Sequence, residues 1–315
     1  MTRREHGMFR DGEVFIDACG VRLRAVVDGS ALGDDAEDVA GDTVLVLHGF
    51  TGAAESMETV RAALCNQYRV VRLELIGHGG SASPAESDSY AMKSCAEQIV
   101  EVVRKLALRR PHLVGYSMGG RAAIAAAVAA PECFSSLVLI GATAGIADPA
   151  LRKERFAADC ALADRIESAP LSEFVDSWMA LPIFASQSSL GAQALEGARV
   201  QRMANEKIGL ANSLRGMGAG AQQPFFDQLG SIAVPVLLVV GEADAKFRGI
   251  ATLLAADLPD ARIAVVPGVG HAAHLEASDA FGKRISGFLA EVAATAKKPT
   301  TSPSEVISPD RSDRG

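Results

Sequence analysis

The rhythm of hydrophobic and polar positions changes several times along this 315-residue chain. Residues 13–18 and 21–27 alternate apolar and polar side chains around Gly20, the pattern of two half-buried strands joined as a hairpin. Residues 29–42 are polar and acidic and predict a loop. TVLVLHG, from Thr43 to Gly49, is a continuous apolar run, as expected for a strand covered on both faces. From there the spacing alternates. It predicts helices over 56–66, 91–107 and 118–130 (stopped by Pro131) and strands over 69–75, 112–116 and 136–141. Between 145 and 225 strand-like runs vanish and helical spacing takes over, for example at 151–168 and 172–180. Strand rhythm returns at 235–241 and 262–267, interleaved with helices at 247–257 and 277–294. No internal repeat is visible.

Strands alternating with helices imply an α/β fold, a mostly parallel sheet with helices on both faces. The helical block interrupts that alternation. The expected organisation is therefore a core of residues 1–144 and 226–296, a helical cap of residues 145–225 over the carboxyl ends of the strands, and a disordered tail at 297–315, where Pro, Ser, Thr and charge dominate.

Composition narrows the function classes. The formal net charge is −7, which disfavours nucleic-acid binding because phosphate neutralisation needs clustered Lys and Arg. Taken as a total, it also disfavours an anionic substrate. The loop at 29–42, however, holds Asp34, Asp35, Glu37, Asp38 and Asp42 with no Lys or Arg, leaving only −2 elsewhere. The field inside a cleft is set locally, not by the total. The five cysteines form no CxxC pair and are read as free, mostly buried thiols of a reducing compartment. No metal-ligand spacing such as HExxH occurs. Arg3 and Arg4 are followed by no apolar run, so no signal peptide is expected. The longest apolar run, Ala122–Ala130, is too short to span a bilayer. These readings predict a cytoplasmic protein with no membrane insertion and no metal. They leave the oligomeric state open.

Gly115-Tyr116-Ser117-Met118-Gly119 matches GxSxG at the point where a strand runs into an Ala-rich helix. Such a turn presents a serine hydroxyl at the edge of a sheet, and glycine is needed because larger side chains clash there. A serine needs a base, and the base an orienting acid. Asp244 and His271 follow the strands at 235–241 and 262–267 in the order this architecture uses. Asp244 also suits an N-cap for the helix near Phe247, and His271 a plain loop histidine. His274, the rival base, falls within the next helix and is given a supporting or surface role. The loop LHGFTG after the first parallel strand nominates the Phe50 backbone amide as one oxyanion donor, with Met118 as the other. Gly77-His78-Gly79 reads best as a tight turn.

Several segments together carry a family resemblance: LHGFTG (47–52), LIGHGGS (75–81), VGYSMGGR (114–121), ALPIFASQ (180–187), GLANSLRGMGAGAQ (209–222), GEADAKFR (241–248) and GHAAHLE (270–276). From about 43 to 294 the chain resembles the α/β-hydrolase superfamily, and within it the 2-succinyl-6-hydroxy-2,4-cyclohexadiene-1-carboxylate synthases of menaquinone biosynthesis. The resemblance implies a lyase that removes a ring proton from 2-succinyl-5-enolpyruvyl-6-hydroxy-3-cyclohexene-1-carboxylate and expels pyruvate, with no metal or organic cofactor. It carries Ser117, Asp244 and His271 over as the catalytic set, with Ser117 acting as a base activated by His271. Arg121, in the first turns after Ser117, is an independent sign: a guanidinium there suits a polyanionic carboxylate better than a neutral ester. Arg155, Arg202 and Trp178 in the helical block match substrate-site positions of the family. Tyr116 and His48, flanking Ser117 and Phe50 in their motifs, are grouped with them as substrate-binding. Glu74 stands where the family more often has Asp. A serine hydrolase acting on an ester or a carbon–carbon bond is the competing reading, and a non-catalytic module on the same fold a third.

Overall fold

The computed structural model describes residues 12–28 and 41–296. Nearly all of the acidic loop and the whole of the tail at 297–315 lie outside the described residues. Eight strands form one sheet: β1 (Gly12–Ala18), β2 (Val21–Asp28), β3 (Thr43–Leu47), β4 (Arg69–Leu73), β5 (His112–Tyr116), β6 (Ser136–Ile140), β7 (Val236–Gly241) and β8 (Ala261–Val266). Their spatial order is β1-β2-β4-β3-β5-β6-β7-β8. The hairpin β1–β2 joins β4 antiparallel, and every later pairing is parallel. The fold is thus the α/β arrangement that the alternation predicts. β3 and β4 are buried along their whole length, which explains the nearly unbroken apolar sequence of β3; β4 also buries Arg72, ion-paired to Asp28 at 2.7 Å, whereas β8 at the edge leaves Ile263 and Val265 exposed.

Helices cover both faces. α2 (Met92–Lys105), α3 (Met118–Ala129) and α8 (Ala245–Asp257) bury their apolar sides on one face. α1 (Glu58–Leu64) and α10 (Ser278–Ala296) do so on the other. α3 is buried almost all round, and its run of alanines lets it lie close against the sheet. Four further helices intervene between β6 and β7: α4 (Pro149–Ser168), α5 (Leu171–Met179), α6 (Ala192–Met203) and α7 (Lys207–Met217). Residues of α4, α5 and α7 form a small apolar cluster of their own, including Ile166, Phe174, Val175 and Leu214, and Phe50 and Trp178 pack against it. Asp148 caps α4, its carboxylate accepting from the Ala150 and Leu151 amides at 2.8 and 2.9 Å.

Differences from the sequence expectation are local. The segment expected as one helix over 56–66 is a 3₁₀ turn over 54–57 followed by α1. The strand expected over 69–75 stops at Leu73, because the Glu74 side chain turns inward. Its carboxylate accepts from Arg24 Nη1 (2.6 Å) and from the backbone amides of Ala54 (3.1 Å) and Gly80 (2.6 Å). Glu74 therefore ties β2, the 3₁₀ turn and the Gly-His-Gly turn together. The helix expected over 277–294 is preceded by a separate turn of helix, α9 (Ala273–Glu276). The cysteines among the described residues are free, but only Cys95 is buried, which corrects the expectation of mostly buried thiols. No helix among the described residues is long and apolar enough to cross a membrane.

Candidate active site

The sheet reverses its direction of growth at β3: β4 adds on one side, and β5 then adds on the other. Open α/β sheets bind ligands at the carboxyl end of such a switch point. The loops after β3 and β5 carry Phe50 and Ser117 there, and those after β7 and β8 bring Asp244 and His271.

Ser117 sits on a sharp turn with φ 51° and ψ −106°, a conformation that costs a non-glycine residue about 1–3 kcal/mol. Two backbone bonds hold it: the Ser117 amide donates to the Ile140 carbonyl (2.8 Å), and the Arg121 amide to the Ser117 carbonyl (3.1 Å). Gly119 permits the close approach of α3 to the β3 loop. A Cβ at this position would collide with the carbonyls of Leu47 and His48. The Ser117 hydroxyl donates to His271 Nε2 (3.1 Å), and His271 Nδ1–H donates to Asp244 Oδ2 (2.8 Å). The other Asp244 oxygen accepts from the Phe247 amide at 3.2 Å, so Asp244 serves both as helix cap and as partner of the histidine. Burial pushes the Asp244 carboxyl up, but the bonds from His271 and Phe247 more than offset this and hold it below the usual range. Glu276 brackets His271: it accepts from the amides of Gly270 (2.7 Å) and Ala272 (3.1 Å), the residues on either side. Nothing in the sequence marks Glu276 apart from any acid at a helix end, so this contact is visible only in the structure. Among the described residues, the Phe50 and Met118 backbone N–H groups have no protein acceptor.

A cavity of about 240 Å³ opens beside this set. Ser117, His271, Phe50, Met118, Tyr116, Arg121, Arg155 and Trp178 all line it. Among the described residues no Asp or Glu does, while Lys246, which the sequence motifs did not single out, does. Arg121 is only 9% exposed. Its Nη1 donates to the Met217 carbonyl (2.7 Å) and to Gln222 Oε1 (2.8 Å), both neutral acceptors. Burial, with the nearby charge of Arg155, pushes its guanidinium down to about 10, so it stays charged at neutral pH. Arg155 is half-exposed and ion-paired to Asp159 at 2.7 Å. Trp178 packs against Phe50 with ring centroids 5.1 Å apart, and its indole N–H is buried without a partner.

Two expected substrate-binding residues, His48 and Arg202, are not among those that line the cavity. His48 is fully buried: the Leu75 amide donates to its Nε2 (3.0 Å), and its Nδ1–H donates to the Gly49 carbonyl (2.8 Å). Both ring nitrogens are thus committed to backbone, and burial pushes the ring down to about 4. Arg202 is not among the cavity-lining residues; its Nη1 donates to Ala198 in its own helix at 2.8 Å. His274 is interior, not superficial, with its ring 4.4 Å from that of Tyr116. Its Nδ1 has no partner, and burial together with His271 lowers it to about 3. His78 lies buried in its turn, as the plainer reading has it.

In sequence and fold the chain is similar to known proteins. Residues 42–278 match the α/β-hydrolase fold family. A Bacillus subtilis (strain 168) protein, provisionally named 2-succinyl-6-hydroxy-2,4-cyclohexadiene-1-carboxylate synthase, is 39% identical over 253 residues, covering 80% of this chain and 92% of its own length. The chain belongs to this synthase family within the α/β-hydrolase fold. A second synthase of that name, from Serratia proteamaculans (strain 568), is 31% identical over 244 residues, 77% of this chain and 91% of the relative. Among solved structures, MenH from S. aureus superposes with a TM-score of 0.79 at 29% identity, covering 85% of this chain and 98% of that one. The synthase family is one of lyases built on a hydrolase fold, so this chain is an enzyme.

Proposed function

We propose that the enzyme eliminates pyruvate from 2-succinyl-5-enolpyruvyl-6-hydroxy-3-cyclohexene-1-carboxylate, giving 2-succinyl-6-hydroxy-2,4-cyclohexadiene-1-carboxylate in menaquinone biosynthesis. The acidic proton is on ring carbon C2, α to the succinyl ketone. Ser117 Oγ, polarised by His271 and Asp244, takes it and passes it to His271. The developing enolate oxygen is held by the Phe50 and Met118 amides. Electrons then move to form C2=C3, shift C3=C4 to C4=C5 and break the bond from C5 to the enolpyruvyl oxygen. The released enolpyruvate takes up a proton at its methylene carbon and becomes pyruvate. No acyl-enzyme forms, and no cofactor is called for. Helices α4–α7 act as a cap that supplies Arg155 and Trp178. The substrate is a small polyanionic carboxylate. Neither nucleic acid nor a membrane is a partner, and the enzyme works in the cytoplasm.

One observation carries this reading. Beside Ser117 stands a buried guanidinium, Arg121, paired only with neutral acceptors in a cavity that no carboxylate lines. A buried unpaired charge is costly, and an anionic substrate relieves that cost. The relay of serine, histidine and aspartate alone would suit an esterase equally well. The two readings separate on pyruvate release. Wild-type protein given the enolpyruvyl substrate should release stoichiometric pyruvate and show no burst with a p-nitrophenyl ester. Ser117→Ala should lose pyruvate release by about 10²–10⁴-fold while keeping substrate Kd within about threefold. An ester burst without pyruvate release would establish the hydrolase instead.

A further inference from the structure

We propose that Lys246 is the specificity-determining cation that holds the carboxylate of the departing enolpyruvyl group. This inference rests on the pyruvate-eliminating reading above. Lys246 lies in the first turn of α8, two residues beyond Asp244, and lines the cavity together with Phe247 and Ile250. It is exposed, its ammonium 5.8 Å from the Phe247 ring centroid. Among the described residues it makes no close ion pair, although its charge is one of those that hold the Asp244 carboxyl down; the charge of Arg155, by contrast, is partly taken by Asp159 at 2.7 Å. Among the described residues, the cavity therefore presents three cations, Arg121, Arg155 and Lys246, and no acid.

The substrate's own name gives it three carboxylates: one on ring carbon C1, one at the end of the succinyl chain on C2 and one on the enolpyruvyl group at C5. C2 must face Ser117 for its proton to be removed. C1 is the neighbour of C2, so the C1 carboxylate and the succinyl chain lie on the Ser117 side. Arg121 is one helical turn beyond Ser117 and bonded to its carbonyl through the backbone, which places its guanidinium on that side too. C5 stands diagonally across the ring from C2. The enolpyruvyl group thus points away from Ser117, and of the two exposed cations that line the cavity Lys246 is assigned to it, because Arg155 is held by Asp159. A flexible ammonium suits this task better than a fixed guanidinium fork, because pyruvate has to leave after each turnover. As C5–O breaks, negative charge grows on the leaving enol oxygen, next to the carboxylate that Lys246 holds, and the same ammonium then favours departure.

The test compares wild type, Lys246→Met, Lys246→Arg and Lys283→Met. Lys283 is an exposed lysine of α10, across the sheet from α8, and controls for the loss of one surface charge. Two quantities are read: kcat/KM for the enolpyruvyl substrate, from pyruvate release, and the competitive inhibition constant of the cyclohexadiene product, which lacks the enolpyruvyl group. Lys246→Met should lose about tenfold in kcat/KM and leave the product constant within about twofold. Lys246→Arg should keep most of the activity, and Lys283→Met all of it. A Lys246→Met enzyme within twofold of wild type would overturn the proposal. So would a product constant that rises in step with the loss, or an equal loss in Lys283→Met. Absence of pyruvate release from the wild type would instead sink the parent reading, and this inference with it.

Discussion

At the scale of single residues, chemistry depends on which polar groups are already satisfied. His48 sits in the same loop as Phe50, and motif position alone makes it look like a ligand-facing histidine. The fold spends both of its nitrogens on backbone, so nothing remains for a substrate. Arg121 is the opposite case. It is buried, charged and bound only to the Met217 carbonyl and the Gln222 amide. Its anchors orient the guanidinium without neutralising it. Replacing Arg121 by Ala should lower kcat/KM for the polyanionic substrate by about 10²-fold, the loss expected for one desolvated charge-assisted contact. Turnover of a neutral ester, if measurable, should change several-fold less. Parallel kinetics on the two substrates check this, with the circular dichroism melt as a control for folding; equal losses would exclude the anion clamp. The role proposed for Arg121 was open to sequence reading because Arg121 falls at a fixed spacing from Ser117 at the start of one helix. Those of Lys246 and Glu276 were not, because these residues stand on α8 and α9, far from Ser117 along the chain.

Elements place these residues through close backbone contacts. The first turn of α3 abuts the loop after β3, so the two amides assigned to the oxyanion, Phe50 and Met118, stand on elements pressed together at Gly119. Gly119→Ala should push them apart. The added methyl meets the carbonyls of Leu47 and His48, which are rigid backbone and cannot rotate away. The expected outcome is a loss of at least about tenfold in kcat with a smaller change in KM, since the damage falls on transition-state charge. Overpacking should also cost about 1–3 kcal/mol of stability, readable as a lower denaturant midpoint. A variant with normal kcat would show that the two amides do not share an oxyanion. Periodicity in the sequence located α3 and β5 within one or two residues, because the apolar run and the glycine–serine turn are both local signals. It missed the break at Leu73 and the separate turn α9. At those boundaries Glu74 and Glu276 bond backbone amides, of Ala54 and Gly80 and of Gly270 and Ala272, and apolar periodicity does not encode such side-chain bonds.

At the scale of the whole molecule, burial sets the response to pH. His48 and His112 are pushed down to about 4, and His78 and His274 to about 3, in each case chiefly by desolvation. Unfolded histidine titrates near 6.5. Between about pH 6.5 and 3–4 the unfolded chain therefore binds more protons at these sites than the folded one does. Their contribution to stability is intact above about pH 6.5 and is lost as pH falls through that window, by up to about 1.4 kcal/mol per histidine per pH unit. Urea midpoints at pH 7.5, 6.0 and 5.0 should fall steadily. A flat profile would mean that these rings open to solvent before they protonate. The sequence by itself determined the alternation of strands and helices, and with it the parallel sheet, since unbroken apolar runs and 3.6-residue spacing are properties of neighbouring positions. It also supplied the residue types of the relay and their order along the chain. Only the tertiary structure decided which of the polar residues face one cavity. That choice separates Arg121 and Lys246 from His48 and Arg202, and for Arg121 it depends on partners far along the chain, Met217 and Gln222. A side chain's partners there are fixed by the packing of the sheet and its helices, and charge left unpartnered inside a cleft is what gives the cleft its selectivity.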